Sequence, residues 1–275
     1  MDWNFAISEA RLRTAPYIRR TPVIQTHLAG REVELKLEQM QHTGSFKARG
    51  AFNSLLSQKV PAAGVVAASG GNHGAAVAFA ASRLGHPAKI FVPELAGAAK
   101  IAPDRRIRAI VPGVYDNALA AAKTHEAETG GGARPTSPVP STVAGQGTLF
   151  AEWEDQGLAA DTVLIAVGGG GLIGGAAAWF GGRRRIVAVE PVNAPTLNRA
   201  MAEGPDTVVD VSGVAADPLG AKRIGRIGYD LCRAAGVVSV LVSDEAILAA
   251  QTLLWQDLPQ WVEPGGATAL AALLS

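Results

Sequence analysis

The chain has 275 residues, 48% hydrophobic and 18% charged, with a formal net charge of +1. That length suits one large or two modest domains, and that balance suits a soluble globular protein with a packed core, which excludes disorder as the default. The near-neutral charge, with no basic block beyond Arg183, Arg184 and Arg185, argues against a nucleic-acid footprint.

A helix is expected over 2–15, capped by Asp2, with Trp3, Ile7 and Ala10 on one face and Thr21-Pro22 beyond its end. Val33, Leu35 and Leu37 alternate with Glu34, Lys36 and Glu38, the period of a half-buried strand. A turn at His42, Thr43 and Gly44 leads to a helix starting near Ser45. Strand–turn–helix units follow: a strand at 65–67, a turn at 69–72 and a helix at 74–84, then a strand at 89–92 and an alanine-rich helix at 115–128. The segment 130–140, rich in glycine and proline, is the most loop-like and a candidate crossing between domains. A strand at 162–167, a glycine turn at 168–171 and a helix at 172–180 come next. The three arginines lead into a strand at 185–189 on a solvated edge; another strand at 237–242 precedes a helix capped by Ser243 and Asp244 and running to about Trp255. Alternating strands and helices imply an α/β fold with a mostly parallel sheet.

The single cysteine, Cys232, excludes an intramolecular disulfide and a cysteine-rich metal site and reads as a buried apolar thiol. The first 20 residues carry acids and no continuous apolar core, so a signal peptide is not expected. No run of about 18 apolar residues is present to span a membrane, and the cytoplasm is the expected address. The five histidines show no metal-ligand spacing, and no metal is expected.

Three segments carry chemistry. Gly168, Gly169, Gly170 and Gly171 stand between a buried strand and a helix. Backbone N–H groups there can close on an anion at the positive end of a helix, and four glycines exceed what a tight turn needs, so phosphate is the expected guest. Gly169, Gly171 and Gly174 also satisfy G-x-G-x-x-G, with Glu190 ending the next strand, so a dinucleotide site stays open. The turn at Ser69, Gly70, Gly71, Asn72 and His73 joins a strand to a helix and can hold a second anion or merely cap that helix. Lys47 stands in a first helical turn, where the dipole disfavours a cation and, with burial, favours the neutral amine that imine chemistry requires. Taken alone, Lys47 reads more readily as an exposed surface lysine.

In this order and spacing the three segments resemble the serine/threonine dehydratase (threonine ammonia-lyase) branch of the tryptophan-synthase-β-like, fold-type II pyridoxal-phosphate enzymes. Ser45-Phe46-Lys47 resembles the family's cofactor-lysine motif, the 69–74 turn its substrate-carboxylate loop, and the 168–172 segment its phosphate grip. Ser212-Gly213-Val214-Ala215 resembles the segment passing one face of the ring, and Glu263-Pro264-Gly265-Gly266-Ala267 a late family motif, so the resemblance runs from about Ala10 to Ser275.

The resemblance implies two α/β domains with mostly parallel sheets flanked by helices and the cofactor, pyridoxal 5'-phosphate, in the cleft between them. Residues 1–58 and 141–275 would form the large domain and 59–140 the small one. Lys47 would be the Schiff-base residue and the base that removes the substrate's α-proton. Phe46, Asn72, Gly168, Gly169, Gly170, Gly171, Leu172 and Gly213 would contact the cofactor, and Ser69, Asn72 and His73 the substrate carboxylate. Phe46 serves equally as a plain core contact. The implied activity is an ammonia-lyase converting L-serine, L-threonine or a related β-hydroxy amino acid to a 2-keto acid and ammonia, in a homodimer without nucleic-acid or membrane partners. Racemase members carry a serine where this chain has Gly70, which cannot donate a proton, so elimination is favoured over racemisation. Glu190 matches an acid that binds a divalent cation in some members, but Thr196 replaces a second carboxylate, and a structural or ribose-binding role is an equal reading.

Two departures are expected to matter. Residues 110–114, with Pro112-Gly113 inside, leave little room for the family's edge strand. The chain stops at Ser275 within an apolar helical run, where members continue into a strand offering a hydroxyl or thiol to the pyridine nitrogen, and no residue here matches it. Competing readings are a truncated, inactive relative that binds the cofactor without turnover and a nicotinamide-dependent oxidoreductase; β-replacement within the same cofactor class is less favoured.

Overall fold

The Asp2 carboxylate opens the first helix as its N-cap, accepting from the Phe5 amide at 3.1 Å, and α1 runs Trp3–Thr14 with Ile7, Ala10 and Thr14 buried. This computed structural model describes residues 1–69, 71–94, 108–112, 115–130, 132–133 and 139–275. The reading of Gly70 lies outside the described residues.

An antiparallel hairpin follows, β1 (Val23–Leu28) on β2 (Arg31–Lys36). Ala29 and Gly30 both take positive φ at its turn, the geometry that matches strand twist in a two-residue hairpin loop. The charged side of β2 faces solvent only at its start, where Glu32 is exposed, and not along its length as the alternation implied. The Lys36 side chain is 3% exposed, because it reaches Glu152 at 2.6 Å; Glu38, just beyond the strand, pairs with Arg49. Pairing removes the cost that would otherwise keep those charges in water.

After α2 (Lys47–Leu56), a parallel sheet takes the order β5-β4-β3-β6, formed by β3 (Val65–Ala68), β4 (Ala88–Pro93), β5 (Arg108–Val111) and β6 (Gly132–Ala133). Its two faces are covered by different helices. Val65, Ala67, Ile90 and Val92 pack on α3 (Asn72–Arg83) and on Phe52 of α2. Val66, Ala68 and Phe91 pack on Ala118 and Ala122 of α4 (Tyr115–Thr129). Burial on both faces explains why β3 is an unbroken apolar run. The expected gap at the edge is filled: β5 pairs in register with β4 despite Pro112 just beyond it.

A second parallel sheet has the order β7-β8-β9, from β7 (Thr162–Ala166), β8 (Arg185–Pro191) and β9 (Val238–Val242). The three arginines therefore lead into the central strand, since β8 pairs with both neighbours. On one face, Val163, Ile165 and Ile186 join Phe150 of α5 (Pro140–Asp155) and Phe180 of α6 (Gly171–Phe180). The other α-helices among the described residues are α7 (Thr196–Glu203), α8 (Ala216–Leu219), α9 (Arg226–Ala234), α10 (Asp244–Asp257) and α11 (Pro264–Leu274). On the other face, Val187 and Val189 join Ile247 of α10 and Leu270 of α11. Cys232 of α9 is fully buried, and burial pushes its thiol up to about 12, the inert thiol expected. Among the described residues no helix is long and apolar enough to cross a membrane.

Candidate active site

The start of α2 is built without the usual caps. Thr43 and Gly44 both hold positive φ, at 64° and 76°, and Phe46 at the N-cap makes no side-chain capping bond. Lys47 is the first residue of this helix and lies at the cleft side, with its Nζ 6.0 Å from the Phe46 ring centroid. Phe46 packs against the core beneath and also lines the cleft.

A cavity of about 2450 Å³ brings the predicted segments together: Ser45, Phe46 and Lys47 line it with Ser69, Asn72 and His73 and with the glycines at 168–171 and Leu172. Each of the two turns meets it where a strand passes into a helix. The Ser69 hydroxyl accepts from the Gly71 amide at 3.3 Å, shaping the turn after β3. The turn after β7 ends at Gly170, left-handed with φ 85°, from which α6 begins. An added side chain would be crowded there: a Cβ on Gly170, besides its left-handed backbone, would lie 2.8 Å from Ile224 Cδ1, and one on Gly168 would lie 3.1 Å from Leu219 Cα. The first amides of α6 have no partners within the helix and so stand available to an anion.

Four polar atoms of lining residues are buried without a hydrogen-bond partner, Ser45 Oγ and His73 Nε2 beside Lys47 and the 69–73 turn, and Gln146 Oε1 and Trp153 Nε1 on α5. Burial pushes the His73 imidazole down to about 4, and the nearby Lys47 charge acts the same way, so His73 is neutral at physiological pH. A buried group left unsatisfied costs about 1–3 kcal/mol, which a ligand at this position would recover. Ser45 was legible only as part of a motif; nothing in its spacing marked its hydroxyl as unpaired.

Two residues singled out in the sequence lie off the cavity. Gly213 is absent from the cavity lining; its left-handed turn, φ 84°, abuts Asp244, which accepts from the Val214 amide at 3.2 Å. The cavity lining begins just beyond this segment and runs from Ala216 to Arg223. Glu190 is fully buried, and its two oxygens accept from the amides of Leu197 at 2.7 Å and Asn198 at 2.8 Å. It thus caps α7, the structural reading, and no oxygen of it faces the cavity. Among the described residues no group of three or more histidine, cysteine or acidic side chains is placed to hold a metal ion.

A family model of pyridoxal-phosphate dependent enzymes matches residues 14–275. The chain belongs to this family. Pyridoxal phosphate is its cofactor, and the nicotinamide reading falls. A phenylserine dehydratase of Ralstonia pickettii is 36% identical over 280 residues, covering 98% of this chain and 86% of that protein. An L-threonine ammonia-lyase of Thermotoga maritima is 32% identical, covering 98% and 70%. Among solved structures, maize serine racemase superposes with a TM-score of 0.90 at 33% identity, covering 99% of this chain and 86% of that one. A threonine deaminase from T.th. gives 0.88 at 33%, covering 98% and 92%. These relatives place the chain with enzymes of the serine/threonine dehydratase type.

The cavity fits the family's cofactor on its own chemistry. It offers an amine at Lys47, a glycine turn at the head of α6 in which Gly168 and Gly170 leave little room for a Cβ, and buried polar atoms without partners at Ser45 and His73.

Proposed function

We propose that this chain is an ammonia-lyase acting on L-serine, L-threonine or a related β-hydroxy amino acid. The observation that carries the reading is that Lys47 shares one cavity with two anion-holding turns, one heading α3 and one heading α6. The turn at 168–171, with Leu172, would hold the cofactor's phosphate, Lys47 its aldehyde carbon, and Phe46 and Asn72 its ring. Bound there, pyridoxal phosphate supplies the electron-withdrawing ring that acidifies the substrate's α C–H bond.

The chain's own residues do the rest. The 69–73 turn binds the substrate carboxylate through Ser69, Asn72 and neutral His73, which orients the α C–H bond toward Lys47. Lys47 Nζ takes the α-proton as general base. The β C–O bond breaks and the hydroxyl departs as water, and over the cycle the proton that Lys47 took from Cα passes on to it, so one water is lost in balance. The enamine that remains takes up water and yields a 2-keto acid and ammonia. Gly70 carries no acid for the opposite face, which favours elimination over inversion.

The same reading divides the chain into a large domain of 1–58 with 141–275 and a small one of 59–140. All strands of one sheet fall between 65 and 133 and all of the other between 162 and 242, which supports that division. A homodimer and a cytoplasmic address complete the reading; light scattering on purified protein tests the first.

The activity test is release of 2-keto acid from L-serine, L-threonine and phenylserine by cofactor-loaded protein, with D-serine measured by chiral chromatography. Keto acid without D-serine is expected. D-serine at a matching rate would overturn the preference for elimination, and no turnover by cofactor-loaded protein would mark an inactive relative.

A further inference from the structure

Something other than capping must fix the start of α2. The helix has no acid in its first turn and no side-chain cap, and it begins with a lysine at the end where a cation is disfavoured. Its main neighbour, α5, crosses it at Gly50 and Gly145, so closely that a Cβ on Gly145 would lie 2.7 Å from Gly50 Cα. A contact between two glycines lets helices approach but interlocks no side chains; the later turns of α2 are pinned instead by Asn53 Nδ2, which donates to the Ser141 carbonyl at 2.6 Å, and by Ser54 Oγ, 2.9 Å from Thr142 Oγ1.

Arg49 supplies the lock at the Lys47 end. It lies two residues beyond Lys47, so at 3.6 residues per turn it projects from the far side of the helix. Its side chain is 0% exposed. Nε and Nη2 donate to Glu38 at 2.8 Å each, and Nη1 and Nη2 donate to Glu152 at 3.0 Å each. Both carboxylates are held in turn. Thr21 Oγ1 donates to Glu38 at 2.5 Å, and Lys36 donates to Glu152 at 2.6 Å. A guanidinium between two fixed carboxylates has one position, and the planar fork resists sliding in a way a glycine contact does not. Charges within the group balance, Lys36 and Arg49 against Glu38 and Glu152, so it can act on Lys47 through position without adding a net field.

We propose that Arg49 is a positioning residue for Lys47: bridging Glu38 and Glu152 behind α2, it sets the axial position of that helix and hence the reach of the Lys47 amine into the cleft. The inference rests on the reading of Lys47 as the cofactor lysine.

The test compares two probes on the Arg49→Lys variant. Pyridoxine 5'-phosphate lacks the aldehyde and reports the phosphate and ring site alone; pyridoxal 5'-phosphate also reports covalent attachment, followed by its visible absorption. Arg49→Lys keeps the charge and loses the fork. Affinity for pyridoxine phosphate is expected to stay within about twofold, while the rate of covalent attachment falls by on the order of 10²-fold, the cost of misplacing a reacting group by about 1 Å. Glu38→Gln, a milder change to the same fork, is expected to slow attachment in the same direction by less, and it stands in if Arg49→Lys does not fold. Ile247→Ala, in the core on the other side of the β7–β9 sheet, controls for lost stability; it is expected to lower the melting temperature and attach at the wild-type rate. Wild-type attachment in both fork variants, or equal slowing in Ile247→Ala, overturns the positioning role. If Lys47→Ala attaches the cofactor as the wild type does, the reading of Lys47 fails instead.

Discussion

Asn72 Nδ2 donates to Glu263 Oε1 at 2.6 Å, joining the first residue of α3 to the N-cap of α11, 191 positions away. The bond ties the proposed carboxylate-binding turn to the far wall of the cleft, and it fixes which way the Asn72 amide points. A charge-assisted bond of this kind near solvent is worth about 0.5–1.5 kcal/mol net. Glu263→Ala is therefore expected to raise KM for the amino acid roughly 2- to 10-fold with little change in kcat, and Glu263→Gln, which keeps an acceptor, to fall between. Steady-state kinetics at saturating cofactor checks this; an unchanged KM in Glu263→Ala would show the bond to be incidental to substrate binding.

The glycine cradle makes a sharper demand. Gly170 sits at φ 85° with Ile224 Cδ1 2.8 Å from where a Cβ would be. Gly170→Ala must bear left-handed strain of about 1–2 kcal/mol and displace Ile224 as well. Cofactor affinity, titrated by fluorescence, is expected to fall by about tenfold or more, together with a lower melting temperature. Cofactor binding at wild-type strength would separate the turn from the phosphate site.

Much of this was legible in the sequence, and for physical reasons. The strands at 65–68 and 162–166 are short apolar runs ending in glycine-rich turns, and local pattern is enough to find both them and the turns. Elements held by distant partners were harder to read. Lys36 and Glu38 alternate with apolar residues and look solvent-facing until Arg49 and Glu152, far along the chain, are brought beside them. The helix α5 begins within what reads as a proline-rich loop, because Pro140 suits the first turn of a helix as well as it suits a break. The edge strand β5 is four residues long and owes its existence to pairing with β4.

Burial pushes the Glu190 carboxyl up to about 7, although the Leu197 and Asn198 amides favour its charged form. The folded protein then keeps a proton that the unfolded chain releases from its ordinary value of 4.5 upward. The contribution of Glu190 to stability is thus fully present below about pH 4.5 and is lost as pH rises to about 7, by about 3 kcal/mol. In Glu190→Gln that component is absent, so the difference in unfolding free energy between the two proteins should slope across this window. Urea unfolding at several pH values measures it, and a pH-independent difference would contradict the assignment.

The central claim is that Lys47 carries the cofactor, and mapping the attachment site tests it most directly. Purified protein is saturated with pyridoxal phosphate, reduced with borohydride to fix any C=N linkage, digested, and analysed by mass spectrometry. The account predicts the reduced cofactor on the peptide containing Lys47 and no label in Lys47→Ala. Label on another lysine, or none on folded wild-type protein, would contradict it.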